Sequence, residues 1–270
     1  MLIATLMSVY AGDSAGHFRL AVQSILQQQF EAGITSRIYL GVDGPLPADV
    51  AATLDELSPR LHLVSRSSAN QGLAATLNRL IGGLEDEVFV FRMDADDIAI
   101  ATRYQTQIDY LRAHPGIDIL GTDIIEFDMA SGRRRLVAFC RGPHDALRRL
   151  HMRVPVAHPT VCFRRSALDR TKGYPLTGTN EDVSLWFACA REGLRFDNVH
   201  APLLEFRITE KFWGRRSLKK AVSEWSCYRH GITSLHGPFN WRQAYPAMRF
   251  LLRIAPRPLA KWLYSSSLRS

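Results

Sequence analysis

Residues 88–97 read VFVFRMDADD, an apolar run of strand length that ends in three carboxylates. Three like charges crowded at one strand end repel one another, and a polyvalent cation would relieve that repulsion. Asp94 and Asp96 alternate along the chain and can aim oxygen ligands at one hard cation, Mg²⁺ or Mn²⁺. A structural alternative stays open, because Asp at a strand end is also an ordinary turn former or helix N-cap.

Around this stretch, strand-length apolar runs alternate with amphipathic helical segments over the first 130 residues. The alternation predicts an α/β fold with a parallel sheet. The predicted strands are Leu2–Val9, Arg37–Val42, Leu61–Ser65 and Val88–Met93. The predicted helices are His17–Gln29, Ala48–Leu57, Gln71–Leu84 and Arg103–Ala113.

The pattern is less regular in the second half of the chain. Further strands are predicted at Ile117–Phe127, Arg134–Phe139 and Thr160–Arg164. Further helices are predicted at Asp145–His151 and Glu181–Glu192, and the chain is helical and basic from about residue 212.

Polar residues stand at the ends of three predicted strands. Val9-Tyr10 ends the first strand, Asp43-Gly44 the second, and the Asp94–Asp97 run the fourth. Ligands of an open parallel sheet bind beyond the carboxyl ends of its strands. The sequence therefore predicts that these three strand ends line a single crevice.

Two common nucleotide-binding motifs are missing from the sequence. The segment after the first strand is SVYAGDSAG rather than GxGxxG, and GxxxxGK[ST] occurs nowhere. Dinucleotide oxidoreductases and P-loop NTPases are therefore poor candidates. A nucleotide held by a metal ion and by side chains at strand ends remains.

The bulk composition is that of a protein with a large core. The chain has 270 residues, of which 46% are hydrophobic, enough for one large domain or one domain with an appendage. Its four cysteines show no CxxC spacing, which favours a reducing cytosolic environment over a disulfide framework or zinc site. No apolar run approaches the roughly 20 residues of a membrane span.

A second acidic site lies at residues 178–186, GTNEDVSLW. One interpretation is an N-cap followed by acids that favour the first helical turn. The other is a carboxylate that faces the crevice as a general base. His158 could be a ligand or a substrate contact, or a loop residue whose hydrogen bonds are satisfied by its neighbours.

Together these motifs resemble family 2 glycosyltransferases of the GT-A fold, and more narrowly the bacterial enzymes that build O-antigens, capsules and exopolysaccharides. The resemblance covers about residues 3–208 and depends on the order of the motifs. They are SVY, VDGPLP, NQGLAATLN, FRMDADD, HPTVCFRRSAL, GY and EDVSLWFACAREG. It implies an inverting transfer from a nucleotide-diphosphate sugar, usually UDP-linked, with Mn²⁺ or Mg²⁺ as cofactor.

The resemblance also implies roles on the donor side. Asp43 would contact the uracil, and Asp96 would hold the metal on the diphosphate together with Asp94, which also reaches the ribose or sugar. The positions implied to shape the nucleotide-sugar pocket are Val9, Tyr10, Asp43, Asn70, Gly72, Asp94, Ala95 and Asp96.

On the acceptor side, the resemblance makes Asp182 the catalytic base, with Glu181 beside it. The positions implied to meet the acceptor or a phosphate are Trp186, His158 and Arg207. Many relatives carry a His after the last strand of the body, whereas this chain has Leu204–Thr209 without one. The QxxRW segment of processive synthases is also missing, which favours addition of a single sugar.

The implied division of the chain is a catalytic domain over residues 1–210 and a basic helical extension over 211–270. Residues 1–115 would bind the nucleotide sugar and residues 116–210 the acceptor. The net charge is +8, but residues 207–270 alone hold 13 Lys or Arg against two acids. The extension therefore predicts an anionic partner surface.

Within the extension, Tyr245–Tyr264 has the composition of an interfacial helix, although Pro256 and Pro258 must interrupt it. It is predicted to dock on the inner face of the plasma membrane, where a polyprenyl-diphosphate-linked acceptor would lie. The alternative is a helix packed on the body. The body contains no recognisable nucleic-acid-binding module, which argues against that partner.

Two other functions compete with sugar transfer. A nucleotidyltransferase on a similar sheet would normally carry a Gly-rich basic loop after the first strand, for which AGDSAGH is a poor match. A non-catalytic protein that binds nucleotide sugars would not need both acidic sites.

Overall fold

A computed structural model describes residues 1–176, 180–208 and 218–254. Within them, the strands are β1 Leu2–Tyr10, β2 Thr35–Asp43, β3 Leu63–Ser67, β4 Phe89–Asp94, β5 Ile98–Ala99, β6 Ile119–Asp128, β7 Arg134–Val137, β8 Cys162–Arg164 and β9 Phe196–Ile208. The helices are α1 Ala15–Leu26, α2 Ala48–Leu57, α3 Leu73–Ile81, α4 Arg103–Ala113, α5 Gly142–Leu150, α6 Arg165–Thr171, α7 Glu181–Arg191, α8 Leu218–His236 and α9 Ala244–Ile254.

The strands form one sheet in the order β3-β2-β1-β4-β8-β6-β9-β5, with β7 added beside β6. The first four strands in this order are parallel, as the alternating pattern predicts. β8 then runs antiparallel to both β4 and β6, whereas β9 is parallel to β6. The predicted α/β fold is confirmed, and its sheet is mixed beyond β4.

Helices cover both faces of the sheet and form two apolar layers. On one face, Phe18 and Ile25 of α1 pack with Leu54 of α2 and Ile108 of α4. On the other face, the buried helix positions come from α3, α5, α6, α7 and α8. The apolar residues of each helix recur at intervals of three or four, so that one stripe faces the sheet.

The chain reverses its direction of winding between β1 and β4. The β1–β2–β3 units extend towards one edge, and β4 returns to the other side of β1. The register pairs Tyr10 with Asp43 and Ser8 with Asp94, so these strand ends lie at the same edge of the sheet. A topological switch point of this kind is where ligands of doubly wound sheets bind.

Several element boundaries differ from the sequence predictions. Helix α1 begins two residues earlier than predicted and ends at Leu26, and α3 begins only at Leu73. Gly72 precedes α3 with φ of +89°, a backbone conformation outside the helical region. The short α6 and the two-residue β5 were not predicted, because neither is long enough to show a period.

The C-terminal helices pack on the body of the protein. In α8, Tyr228 and Ile232 are buried against the layer that contains α7. Gly231 permits this close approach, because a Cβ there would collide with the ring of Phe187. Arg249 of α9 bonds to Glu224 and to the carbonyl of Met152. Residues 255–264 of the predicted interfacial segment lie outside the described residues.

No helix among the described residues combines the length and the apolar character needed to cross a membrane.

Candidate active site

The end of β1 presents one exposed aromatic ring. Tyr10 is 40% exposed, and its backbone N–H donates to Asp13 Oδ2 at 2.9 Å. Val9 is buried in the core, so its side chain does not line the crevice as the resemblance implied. The exposed ring therefore leaves Tyr10 as the side chain of this pair that can meet a flat ligand.

Asp43, at the end of β2, holds the loop before α3. Its two carboxylate oxygens accept the backbone N–H groups of Gln71 at 2.7 Å and Gly72 at 2.9 Å. The Asn70 side chain donates to the Asp43 carbonyl at 3.4 Å. At Gly44, φ is +88° and a Cβ would lie 2.8 Å from the Asn70 nitrogen. The structure thus gives Asp43 a positioning role, and its contact with a base stays a prediction.

The carboxylates of Asp94, Asp96 and Asp97 converge at the end of β4, with one oxygen of each within 4.8 Å of the others. Ala95 between them is buried. Asp97 Oδ1 accepts the backbone N–H of Arg207 at 2.9 Å. Asp97 Oδ2 is buried and has no hydrogen-bond partner within the described residues.

This cluster has the properties of a cation site. Burial raises the pKa of Asp97 well above its usual range, and the charges of Asp94 and Asp96 raise it further. A bound divalent cation would remove that repulsion and give the orphaned oxygen a partner. Oxygen ligands of this kind suit Mg²⁺ or Mn²⁺. The residues present therefore fit a divalent metal.

Arg92 connects the cluster to the second acidic site. Its buried guanidinium pairs with Asp94, while Nε and Nη1 have no hydrogen-bond partner in the described part of the chain. Burial alone would lower the pKa of Arg92, but the charge of Asp94 raises it overall. The same guanidinium acts on Asp182, whose pKa it pulls downward. One buried cation thus acts on both groups of acids.

Asp182 and Glu181 open helix α7, with both side chains partly buried. Burial raises the pKa of Asp182 to about 6, and the neighbouring Glu181 charge contributes to the rise. The Asp182 Oδ1 atom accepts the Val183 backbone N–H at 2.8 Å, which opposes part of that shift. A carboxylate with this pKa is ionised at neutral pH and more basic than an ordinary Asp.

His158 and Trp186 lie in the core behind the crevice rather than at its surface. The Trp186 side chain has no exposed surface, and His158 is 8% exposed. His158 Nε2 hydrogen bonds with Tyr174 OH at 2.8 Å, and burial holds the pKa of this His well below its usual range. The expectation that both contact the acceptor does not fit this packing, in which they support the floor of the crevice.

Arg207 lies against the Asp cluster. Its Nε donates to the Asp96 carbonyl at 2.8 Å, and its Nη1 reaches Met129 Sδ at 3.0 Å. His17 of α1 lies near Arg207, and burial together with the Arg207 charge lowers the pKa of this His. The Arg207 guanidinium beside the cluster can bind a phosphate, which is the role expected of it from the sequence.

Sequence reasoning missed Arg92, Tyr174 and His17 as members of this site. A signal existed for Arg92, since a lone Arg within the apolar run VFVFRM occupies a buried strand position. Tyr174 belongs to the GY motif, which gave it no role, and no signal existed for His17, because its approach to Arg207 depends on how α1 packs against the sheet.

Comparisons with known proteins identify relatives along the full length of the chain. It is 31% identical to an uncharacterised glycosyltransferase of Haemophilus influenzae, with 100% of both chains covered. It is 24% identical to the Escherichia coli UDP-Gal:alpha-D-GlcNAc-diphosphoundecaprenol beta-1,3-galactosyltransferase, over 98% of this chain and 96% of that protein. It is 28% identical to the amylovoran biosynthesis glycosyltransferase AmsE of Erwinia amylovora, over 97% and 98%. No family model matches the chain.

Solved structures share the fold. Staphylococcus aureus TarS 1–349 in complex with UDP-GlcNAc superposes with a TM-score of 0.67 at 15% identity, covering 96% of this chain and 77% of that one. The mannosyltransferase PcManGT from Pyrobaculum calidifontis, in complex with GDP-Man and Mn²⁺, gives a TM-score of 0.62 at 14% identity, covering 98% and 79%.

Proposed function

This chain belongs to the glycosyltransferases, and we propose that it moves one sugar from a UDP-sugar to a saccharide carried on a lipid diphosphate. The observation that carries the proposal is the buried Arg92, which pairs with Asp94 of the Asp cluster and is near enough to Asp182 for its charge to lower the pKa of that carboxyl. This supports a single crevice at the switch point of the sheet that would hold both the diphosphate and the base.

The donor half of the proposal rests on the strand ends. Tyr10 offers a ring to the base, and the loop fixed by Asp43 closes the other side of the pocket. Asp96 and Asp94, with Asp97 as a third candidate, would hold a divalent cation that offsets the charge of the leaving diphosphate. Arg207 would add a positive charge beside the phosphates.

The acceptor half rests on α7. Asp182 removes the proton from the attacking sugar hydroxyl, and Glu181 keeps its pKa raised for that task. Attack from the face opposite the leaving diphosphate inverts the anomeric centre. The E. coli relative acts on a saccharide linked to diphosphoundecaprenol, which supports a lipid-linked acceptor for this chain as well.

The division into a catalytic domain over residues 1–210 and an extension over 211–270 is kept as part of this proposal. In it, α8 covers α7 from behind, with Ser184 Oγ and Cys227 Sγ 3.2 Å apart. The extension thus stabilises the helix that carries the base.

Calorimetric titration tests the donor assignment. UDP is expected to bind in the presence of Mn²⁺ and to bind at least about tenfold more weakly in EDTA, because the cation links the Asp cluster to the diphosphate. Screening of UDP-sugars with a lipid-linked acceptor would follow. If UDP binds in neither condition, the donor is a different nucleotide or the site has lost its chemistry.

The described end of the extension supports docking on the inner face of the membrane. Phe239 is 100% exposed, and Trp241 and Leu251 are 65% and 63% exposed. The guanidinium of Arg242 lies 5.0 Å from the centre of the Trp241 ring. Exposed aromatic side chains beside cations suit an anionic lipid surface.

Vesicle sedimentation measures this docking. Phe239→Ser/Trp241→Ser is expected to lower partitioning onto phosphatidylglycerol vesicles by at least about tenfold, because both rings would bury apolar area in the lipid. The matched control Leu20→Ser/Val88→Ser changes two body residues that are 45% and 47% exposed and should partition like the wild type. Equal partitioning of the Phe239/Trp241 variant would refute membrane docking through this surface.

A further inference from the structure

A large cleft separates strand β7 from helix α5, away from the Asp cluster. Its volume is about 760 Å³, within the range of ligand sites. Five arginines line it against two acids, Glu126 and Asp145, so that its net charge is positive. The arginines are Arg135, Arg141, Arg148, Arg149 and Arg153. We refer to it as the arginine cleft.

The two walls of the arginine cleft are held in place by the sheet. Strand β7 pairs with β6 from Ile124↔Val137 to Phe127↔Arg134. The start of α5 is fixed where Gly142 N–H donates to Asp197 Oδ1 at 2.9 Å. A preformed cleft can bind a ligand without first ordering its walls.

Three of the arginines are available to an anion. Asp145 accepts from both Arg148 and Arg149 at 2.7 Å. Arg135, Arg141 and Arg153 form no ion pair within the described residues. Burial lowers the pKa of Arg153, and the nearby Arg149 charge lowers it further, which shows that cations crowd this wall. A ligand with two or more negative charges would relieve that crowding.

The arginine cleft is also partly apolar. Leu136 is 60% exposed, and Val137, Phe139 and Val154 complete an aliphatic and aromatic surface beside the guanidinium groups. A free phosphate or a nucleotide would leave that surface unused. A diphosphate that carries a hydrocarbon chain would satisfy both parts of the lining.

The arginine cleft lies within reach of the crevice. The backbone N–H of Arg207 in β9 donates to Asp97. Across the sheet, Arg207 is paired with Phe127 of β6, and Phe127 is paired with Arg134 of β7. Three strand spacings, about 14 Å, therefore separate the Asp cluster from the β7 wall. At the other end, the Met152 carbonyl next to Arg153 accepts from Arg249 of α9, the helix that carries the exposed Leu251.

We propose that the arginine cleft binds the diphosphate and the first isoprenoid carbons of the lipid that carries the acceptor saccharide. The inference rests on the proposed function and deepens it, because it places the lipid end of the acceptor. The saccharide then extends across the sheet to Asp182, while the rest of the hydrocarbon chain leaves beside α9 towards the membrane.

Farnesyl diphosphate is a soluble probe for this site. We expect it to bind the full-length protein in EDTA, where the Asp cluster holds no cation that could recruit a diphosphate. Arg141→Gln/Arg153→Gln should weaken its binding by at least about tenfold, since two charge-assisted contacts are lost. UDP binding in Mn²⁺ should stay unchanged, which also reports that the variant is folded. Arg60→Gln/Arg133→Gln, an equal charge change at exposed positions outside the cleft, should bind farnesyl diphosphate like the wild type.

Three results would overturn the proposal. The first is no binding of farnesyl diphosphate to the wild type, or equal binding to both variants. The second is inorganic diphosphate binding as tightly as farnesyl diphosphate, which would make the cleft a site for free anions. The third is that Arg141→Gln/Arg153→Gln loses binding to phosphatidylglycerol vesicles as strongly as it loses farnesyl diphosphate, which would make the cleft a site for lipid headgroups. The UDP titration of the wild type is separate, so failure of the donor assignment would be recognised independently.

Discussion

Asp182→Asn is expected to lower kcat for sugar transfer by about 10²–10⁴-fold, the range that a positioned general base contributes. Asn keeps the shape of the side chain and can still accept the Val183 N–H, but it cannot take the proton of the acceptor hydroxyl. UDP binding should be retained, because the Asp cluster is untouched. Steady-state kinetics and UDP calorimetry on the same preparation measure both effects.

The same substitution should stabilise the protein at neutral pH. The pKa of Asp182 is raised from 3.8 to about 6, so its contribution to folding is most favourable below pH 3.8 and is lost as the pH rises through 6. At pH 7.5 the wild type therefore carries a buried charge that Asn lacks, worth up to about 3 kcal/mol. Thermal unfolding should show a higher Tm for the variant at pH 7.5 and no difference near pH 3.

A variant that loses activity but gains thermal stability distinguishes a catalytic role of Asp182 from a structural one. A purely structural Asp182 would lose stability and UDP binding together when replaced. The control Asp86→Asn removes an exposed carboxylate and should change neither the rate nor the Tm appreciably. If Asp182→Asn retained full activity, the assignment of the base would be wrong.

The pH profile provides a further test of the base. Below about pH 6, kcat/KM should fall as Asp182 becomes protonated. Glu181→Gln should move this limb to lower pH, because a repelling charge is removed. The ionisable groups that face Asp182 are Glu181 on its own helix, Arg92 on β4, Tyr174 in the preceding loop, and Cys227 and Tyr228 on α8.

Local sequence signals predicted much of the fold. Helix α2 has its predicted bounds, because Pro47 precedes it and one apolar stripe runs through it. Helix α4 also has its predicted bounds, since His114-Pro115 ends it. The strand ends at Tyr10, Asp43 and Asp94 meet as predicted, because parallel strands bring their carboxyl ends to one edge. The motif order led to the family that the Haemophilus relative confirms.

The candidate site was less predictable, because side-chain partners across elements leave no local pattern. Its place in an apolar run indicates that Arg92 is buried, but it does not reveal that Arg92 pairs with Asp94 and acts on Asp182. Trp186 was assigned to the acceptor by the family resemblance, yet α7 buries its side chain in the core. The arginine cleft lies between β7 and α5, and nothing in the sequence indicates that the arginines of these two elements line one cleft.

Asp96→Asn is expected to abolish most of the Mn²⁺ dependence of UDP binding and to lower kcat by about 10²–10³-fold. The second figure is the usual cost of removing one group that stabilises developing charge. The variant should bind UDP in Mn²⁺ about as weakly as the wild type does in EDTA, because the two remaining acids also interact with other groups and would hold the cation more weakly without Asp96. Asp94 pairs with Arg92, and Asp97 accepts the Arg207 backbone N–H.

Calorimetry in Mn²⁺ and in EDTA, with Asp86→Asn as the control, isolates this effect. Asp97→Asn provides a second comparison, since it removes one buried carboxylate that is costly to ionise but keeps an oxygen for the Arg207 N–H. If Asp96→Asn kept the full difference between Mn²⁺ and EDTA, a cation would bind elsewhere and the cluster would serve only to order the end of β4. If Asp96→Asn loses the difference between Mn²⁺ and EDTA and Asp182→Asn retains it, the two acidic sites have separate tasks, one in holding the cation and one in sugar transfer.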